Sequence, residues 1–94
     1  MAIRSFRYRG LRRLYEEDDA QGVPAEMRGK LTRMLTLLDA AGAPEDMGLY
    51  PGWWLHRLKG SRTGVWSLTV TGNWRLTFRM EDAASYDIDL VDYH

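Results

Sequence analysis

Two stretches of alternation, VWSLTV over residues 65–70 and NWRLTFRM over residues 73–80, limit what this chain can fold into more than any other feature. Successive side chains of a β-strand point to opposite faces. Trp66, Leu68 and Val70 therefore share one side, with Ser67 and Thr69 opposite; Trp74, Leu76, Phe78 and Met80 share one side, with Arg75, Thr77 and Arg79 opposite. Each strand must bury one face and leave the other polar. Directly opposed partners share a face, so Val70 is expected across from Trp74. The connection is then Thr71-Gly72-Asn73, with Gly72 or Asn73 supplying the positive φ such a loop needs. Carried across the turn at residues 81–85, the same parity aligns Phe78 or Met80 with Ile88 or Tyr86 and sets Arg79 beside Asp87. Arg75 would lie between Thr69 and Val91 or Tyr93, with no carboxylate on a neighbouring strand as its obvious partner.

The first half of the chain has a different period. Ile3 and Phe6 suggest a short opening strand, and Leu11, Leu14 and Tyr15 mark one face of a short helix. Gly22 and Pro24 interrupt it. Pro24 suits a first helical turn, and Met27, Leu31, Met34, Leu35 and Leu38 then recur as one apolar stripe. The stretch Ala41-Gly42-Ala43-Pro44 ends that helix, and GLYPG forms a loop before WWLHRLKG. The expected fold class is α+β: a short N-terminal strand and two helices packed on one face of a mainly antiparallel sheet. With 94 residues, the chain makes one domain, residues 1–94, burying about two thirds of the surface the unfolded chain would expose.

Composition removes several function classes. The chain has no cysteine, so neither a disulfide nor a cysteine zinc site is expected. No apolar run approaches the roughly 18 residues of a membrane span, and the first residues contain no signal-like apolar segment. The expectation is a cytoplasmic protein with no membrane partner. Thirteen basic and 13 acidic residues cancel, but they are segregated. Arg4, Arg7, Arg9, Arg12 and Arg13 precede any acid, and Arg57, Lys59, Arg62, Arg75 and Arg79 lie in an acid-free stretch between Met47 and Met80. A neutral total thus permits a basic face able to meet phosphates; ordinary solvated surface is the plainer reading.

The open face gathers His56, Lys59, Arg62, Arg75, Asp92, Tyr93 and His94. Cleaving an RNA phosphodiester by attack of the adjacent 2′-hydroxyl requires a base for its proton, cations for charge growing on the phosphoryl oxygens, and an acid for the departing 5′-oxygen. Two histidines, which titrate near neutrality, together with these cations meet that need without a cofactor. On a regular strand Asp92 and His94 point one way and Tyr93 the other, towards Arg75. His56 with Asp92 and His94 could instead form a two-histidine, one-carboxylate metal triad, although neighbouring cations oppose it. His56 between Leu55 and Leu58 could also be simply structural. Trp53 and Trp54 cannot both face inward, leaving one to stack on a base, cover the sheet edge or touch a protein partner.

The stretch LHRLKGSRTGVWSLTVTGNWRLTFRM followed by YDIDLVDYH resembles the HigB-type toxins of the RelE-like superfamily, specifically over roughly the last forty residues. The resemblance implies a RelE-like fold and an mRNA endonuclease (mRNA interferase) acting on messages in the ribosomal decoding site. It also implies neutralisation by a helix-turn-helix antitoxin of the HigA type, with DNA reached only through that antitoxin. By position it implies catalytic roles for His56, Asp92, Tyr93 and His94 and RNA contacts by Lys59 and Arg75; Arg62 is an expected phosphate contact from the residues themselves. Arg57 stands where the family pattern commonly has proline, adding a charge able to touch ribosomal RNA. A basic RNA- or ribosome-binding module without catalysis, or an attenuated toxin, is the alternative.

Overall fold

The computed structural model describes residues 3–60 and 63–93. Helix α1 (Arg9–Glu17) and helix α2 (Arg28–Ala40) precede strands β1 (His56–Arg57), β2 (Trp66–Thr71), β3 (Trp74–Glu81) and β4 (Ala84–Asp92). The strands form one sheet in the order β1-β2-β3-β4, antiparallel throughout. The opening segment runs parallel to β4 through bridges Ile3–Ser85 and Phe6–Ile88. The Arg4 and Arg7 N–H groups donate to the Ser85 and Ile88 carbonyls, both at 2.8 Å. The fold is the α+β, RelE-like arrangement that the two periodicities and the resemblance lead one to expect.

The apolar faces meet as the alternation requires. Leu68, Val70, Leu76, Phe78, Ile88 and Leu90 from the sheet pack with Leu11 and Leu14 of α1 and with Met27, Leu31, Met34, Leu35 and Leu38. Removing this surface from water supplies the main drive to fold, about 25 cal/mol per Å² of apolar area. The N-terminus of α2 is tightened by a 3₁₀ turn at Ala25–Met27 after Pro24. The expected GLYPG loop begins inside a second 3₁₀ segment, Pro44–Leu49, which buries Met47. Asp46 secures it by accepting the Gly42 and Ala43 N–H groups at 2.9 and 3.2 Å.

Close approach explains Gly10. A Cβ there would lie 2.2 Å from the Gly22 carbonyl oxygen, so the loop after α1 can pack on the helix only because that side chain is missing. Tyr15 ties α1 to α2 by donating its hydroxyl proton to Asp39 Oδ1 at 2.9 Å. Burial, then that carboxylate, raise the Tyr15 phenol above its ordinary pKa. Beyond α1, the Gln21 N–H and the Arg13 guanidinium hold the Asp19 carboxyl below its usual range.

Two bulges correct the expected registers. Through most of β2–β3 the pairs are those the parity predicts, Leu68 with Leu76 and Thr69 with Arg75. At the end, however, Thr71 rather than Val70 faces Trp74, leaving Gly72-Asn73 as a two-residue turn. Val70 is the extra residue. It stays buried, and Lys30 Nζ donates to its carbonyl at 2.5 Å. Gly72, at φ 52°, takes the left-handed conformation that the tight turn needs.

The second bulge lies at Asp87, whose φ is 54°. Thr77 faces Asp89 but Arg79 faces Tyr86, so two β4 residues answer one residue of β3. Arg79 is therefore not beside Asp87, and Tyr86 leaves the alignment with Phe78 or Met80. The opening segment provides the physical reason: Asp87 turns its N–H to Ser5 Oγ at 2.9 Å while Ile88 donates to the Ser5 carbonyl. A two-strand parity argument omits this third partner.

Candidate functional site

On the sheet face away from the helices lies a cleft of about 690 Å³, lined by Trp54, Leu55, His56, Leu58, Ser67, Thr69, Arg75 and Tyr93. Its floor follows from the alternation. Ser67, Thr69 and Arg75 are the sequence neighbours of core residues Leu68, Val70 and Leu76 and point the opposite way.

Each chemical group is placed by backbone pairing. His56 is exposed and sits opposite Ser67 in β1. The segments around it are secured because Thr69 N–H donates to the Trp53 carbonyl at 2.7 Å and Leu58 N–H to the Val65 carbonyl at 2.9 Å. Arg75 lies between Thr69 and Val91 in the ladder, as expected. Its Nη1 donates to the carbonyls of Gly72 and Trp74 at 2.8 and 3.1 Å. The tight turn thereby orients the guanidinium, and no other described residue accepts from it, so its remaining N–H groups can meet an anion. Tyr93 follows β4 and is held by its N–H donating to the Asn73 carbonyl at 2.9 Å. His56, Arg75 and Tyr93 therefore converge from three separated segments.

The other expected site residues are placed differently. Asp92 is exposed and opposes Trp74, whereas Tyr93 lines the cleft, which agrees with the alternation expected of the ending. Asp92 and Lys59 do not line the cleft, although Lys59 is exposed just beyond β1. Arg57 opposes Trp66, and its guanidinium carbon lies 5.6 Å from the centre of that ring. This cation–π contact explains how a charged residue occupies the position after His56. Arg62 and His94 lie outside the described residues, and so does the His56–Asp92–His94 metal triad. Among the described residues, no cluster of three histidine, cysteine or acidic side chains is arranged to hold a metal ion.

Among the described residues no carboxylate lines the cleft, and Arg75 gives it a positive charge. Chemically, it can receive an anion, offer it a phenol and transfer a proton through an imidazole. Sequence reasoning recognised Ser67 and Thr69 as polar-face residues but did not assign them to the site. Leu55 and Leu58, which form apolar walls around His56, were missed because only the chain's path across β2 brings them there.

Similarity to known proteins covers almost the whole chain. The family model described as RelE-like toxin of type II toxin-antitoxin system HigB matches residues 4–94. The protein named Endoribonuclease HigB from Proteus vulgaris is 37% identical over 94 residues, spanning 98% of this chain and 99% of that one. Toxin HigB-1 of Vibrio cholerae serotype O1 is 32% identical over 81 residues, or 85% of each chain.

Proposed function

The chain belongs to the HigB-like toxins of type II toxin–antitoxin systems, within the RelE-like superfamily, and on that premise we propose that it is an endoribonuclease which cuts messages while the ribosome translates them. The observation that carries this reading is the convergence of His56, Arg75 and Tyr93 in one cleft, with no carboxylate among its described lining residues. The name of the Proteus vulgaris relative supports it.

In this reading Arg75, braced by the turn carbonyls, binds the phosphoryl oxygens and offsets the charge that builds on them. Tyr93 donates a hydrogen bond to the same group. One imidazole of the pair His56 and His94 removes the 2′-hydroxyl proton; the 2′-oxygen attacks phosphorus; the other imidazole protonates the 5′-oxygen as its bond to phosphorus breaks. The products are a 2′,3′-cyclic phosphate and a free 5′-hydroxyl. Asp92 supports the ending beside Trp74, while Lys59, Arg62 and Arg57 attract the RNA backbone. The reaction uses no metal or other cofactor. A cleft this small on one face of a 94-residue chain holds few nucleotides, so the ribosome supplies the rest of the positioning. The partners are the ribosome with its mRNA and a helix-turn-helix antitoxin of the HigA type, and the setting is the cytoplasm.

Mapping mRNA ends in cells that express the chain, its His56→Ala variant and a version lacking His94 tests the reading. The parent should cut within translated messages, and each change should reduce cutting by about 10²- to 10⁴-fold, the usual contribution of an acid–base group. Efficient cutting of naked RNA, or a folded variant without His94 that remains fully toxic, would overturn it.

A further inference from the structure

Trp54 is 75% exposed, at a φ of 50°. Both features are unusual for the largest side chain in proteins. The left-handed region is strained for any residue with a Cβ, and a bulky residue there is an outlier. Its neighbours show how the position is enforced. Trp53 is buried against Tyr50, with ring centres 4.5 Å apart, and its carbonyl accepts the Thr69 N–H at 2.7 Å. His56, two residues later, is fixed opposite Ser67. With Trp53 turned inward and His56 tied to β2, the residue at 54 is forced outward, and its indole forms part of the cleft wall that includes His56 and Arg75. Glycine would adopt this backbone without strain; a tryptophan held in it leaves a flat aromatic surface at the mouth of a cationic site.

We infer that Trp54 is a stacking platform for a nucleobase of single-stranded RNA whose phosphate lies at Arg75. An exposed ring and a guanidinium lining the same cleft match the two parts of a nucleotide, since the base can stack on the indole while the phosphate pairs with the cation. Stacking of this kind tolerates any base, so Trp54 positions the strand without reading its sequence. The inference rests on the RNA-cutting reading for its ligand, but binding can be measured without cutting.

The probe is a 2′-O-methyl RNA oligonucleotide, which lacks the attacking hydroxyl, alongside an abasic strand of equal length. The full chain is titrated with each. The parent's indole emission should be quenched by the base-bearing strand and not by the abasic one. Trp54→Leu should weaken binding of the base-bearing strand by roughly ten- to a hundredfold, in line with the loss of one stacked base, and leave the abasic strand unaffected. Trp54→Tyr should keep most of the affinity, whereas Arg75→Ala should weaken both strands. Trp54→Gly, whose backbone suits the observed φ, should lose affinity as Trp54→Leu does while remaining folded by circular dichroism. Equal affinity of parent and Trp54→Leu, or no binding by the parent, overturns the inference and leaves the indole as a protein-docking surface. A parent that binds through Trp54 yet cuts no translated message defeats the nuclease reading alone.

Discussion

The two faces of the sheet are built from the same strands, one residue out of step, and solve opposite problems. Towards the helices, Leu68, Leu76, Phe78 and Ile88 are fully buried and packed with α1 and α2. Away from them, Thr69, Arg75 and Tyr93 border a cleft open to solvent. Arg75 and Leu76 are adjacent in β3, so a single step along the chain passes from the cleft to the core. The difference implies that stability and activity separate by strand parity.

The sharpest way to break that comparison is to truncate the two adjacent residues in turn. Leu76→Ala should cost about 2–5 kcal/mol through lost burial and a residual cavity, a large part of the roughly 5–15 kcal/mol available to a small domain. Denaturant unfolding would measure it. Arg75→Ala, which gives up bonds to the exposed Gly72 carbonyl and the half-buried Trp74 carbonyl, should unfold within about 1 kcal/mol of the parent yet lose most cutting of translated messages. If both changes were mainly destabilising, the separation of faces would fail.

Arg79 sharpens the comparison along β3. Although it points to the same side as Arg75, it does not line the cleft; its guanidinium approaches Gly64 instead. Arg79→Ala should therefore reduce mRNA cutting less than Arg75→Ala. Asp87 plays no part in this difference, since the β4 bulge sets Arg79 opposite Tyr86. Equal loss in two folded variants would show that the site extends along the strand.

A smaller effect is expected where the closed face is imperfect. Ser85 Oγ is buried and has no hydrogen-bond partner among the described residues, and an unpaired buried hydroxyl costs about 1–3 kcal/mol. Ser85→Ala should therefore raise stability by about 1 kcal/mol without changing activity, as read from paired melting curves and cutting assays. A loss of stability would indicate that the hydroxyl is satisfied in solution.

The smallest effect concerns pH and the helices behind the sheet. Because the folded Tyr15 phenol titrates above its ordinary value of 10.0, its contribution is fully present below that value and fades as pH rises through the higher folded pKa. Tyr15→Phe should lose a little stability at neutrality and show a weaker alkaline decline. Melting temperatures at neutral pH and above about pH 10 give the comparison; identical declines would dissociate Tyr15 from alkaline unfolding.

Much of this architecture was legible in the residues because burial repeats with the geometry of each element. The stripe from Met27 to Leu38 could be buried together only on a helix, and the alternation of VWSLTV and NWRLTFRM only on strands. The same alternation placed Arg75 between Thr69 and Val91 and separated Tyr93 from Asp92. It also required that Trp53 and Trp54 part, which they do.

The amino-acid sequence by itself thus determined the main helices and strands, which of their faces are apolar, and which imidazoles, phenols and cations the proposed site can draw on. Tertiary structure decided the rest. The bulges at Val70 and Asp87 depend on Lys30 and Ser5, which lie 40 and 82 residues from the backbone groups they satisfy. The same long-range pairing selected Trp54 to face outward, directed Arg57 to Trp66, and brought Leu55 and Leu58 around His56. Periodicity reports the local pattern of burial, whereas register and side-chain convergence depend on hydrogen bonds between segments distant along the chain.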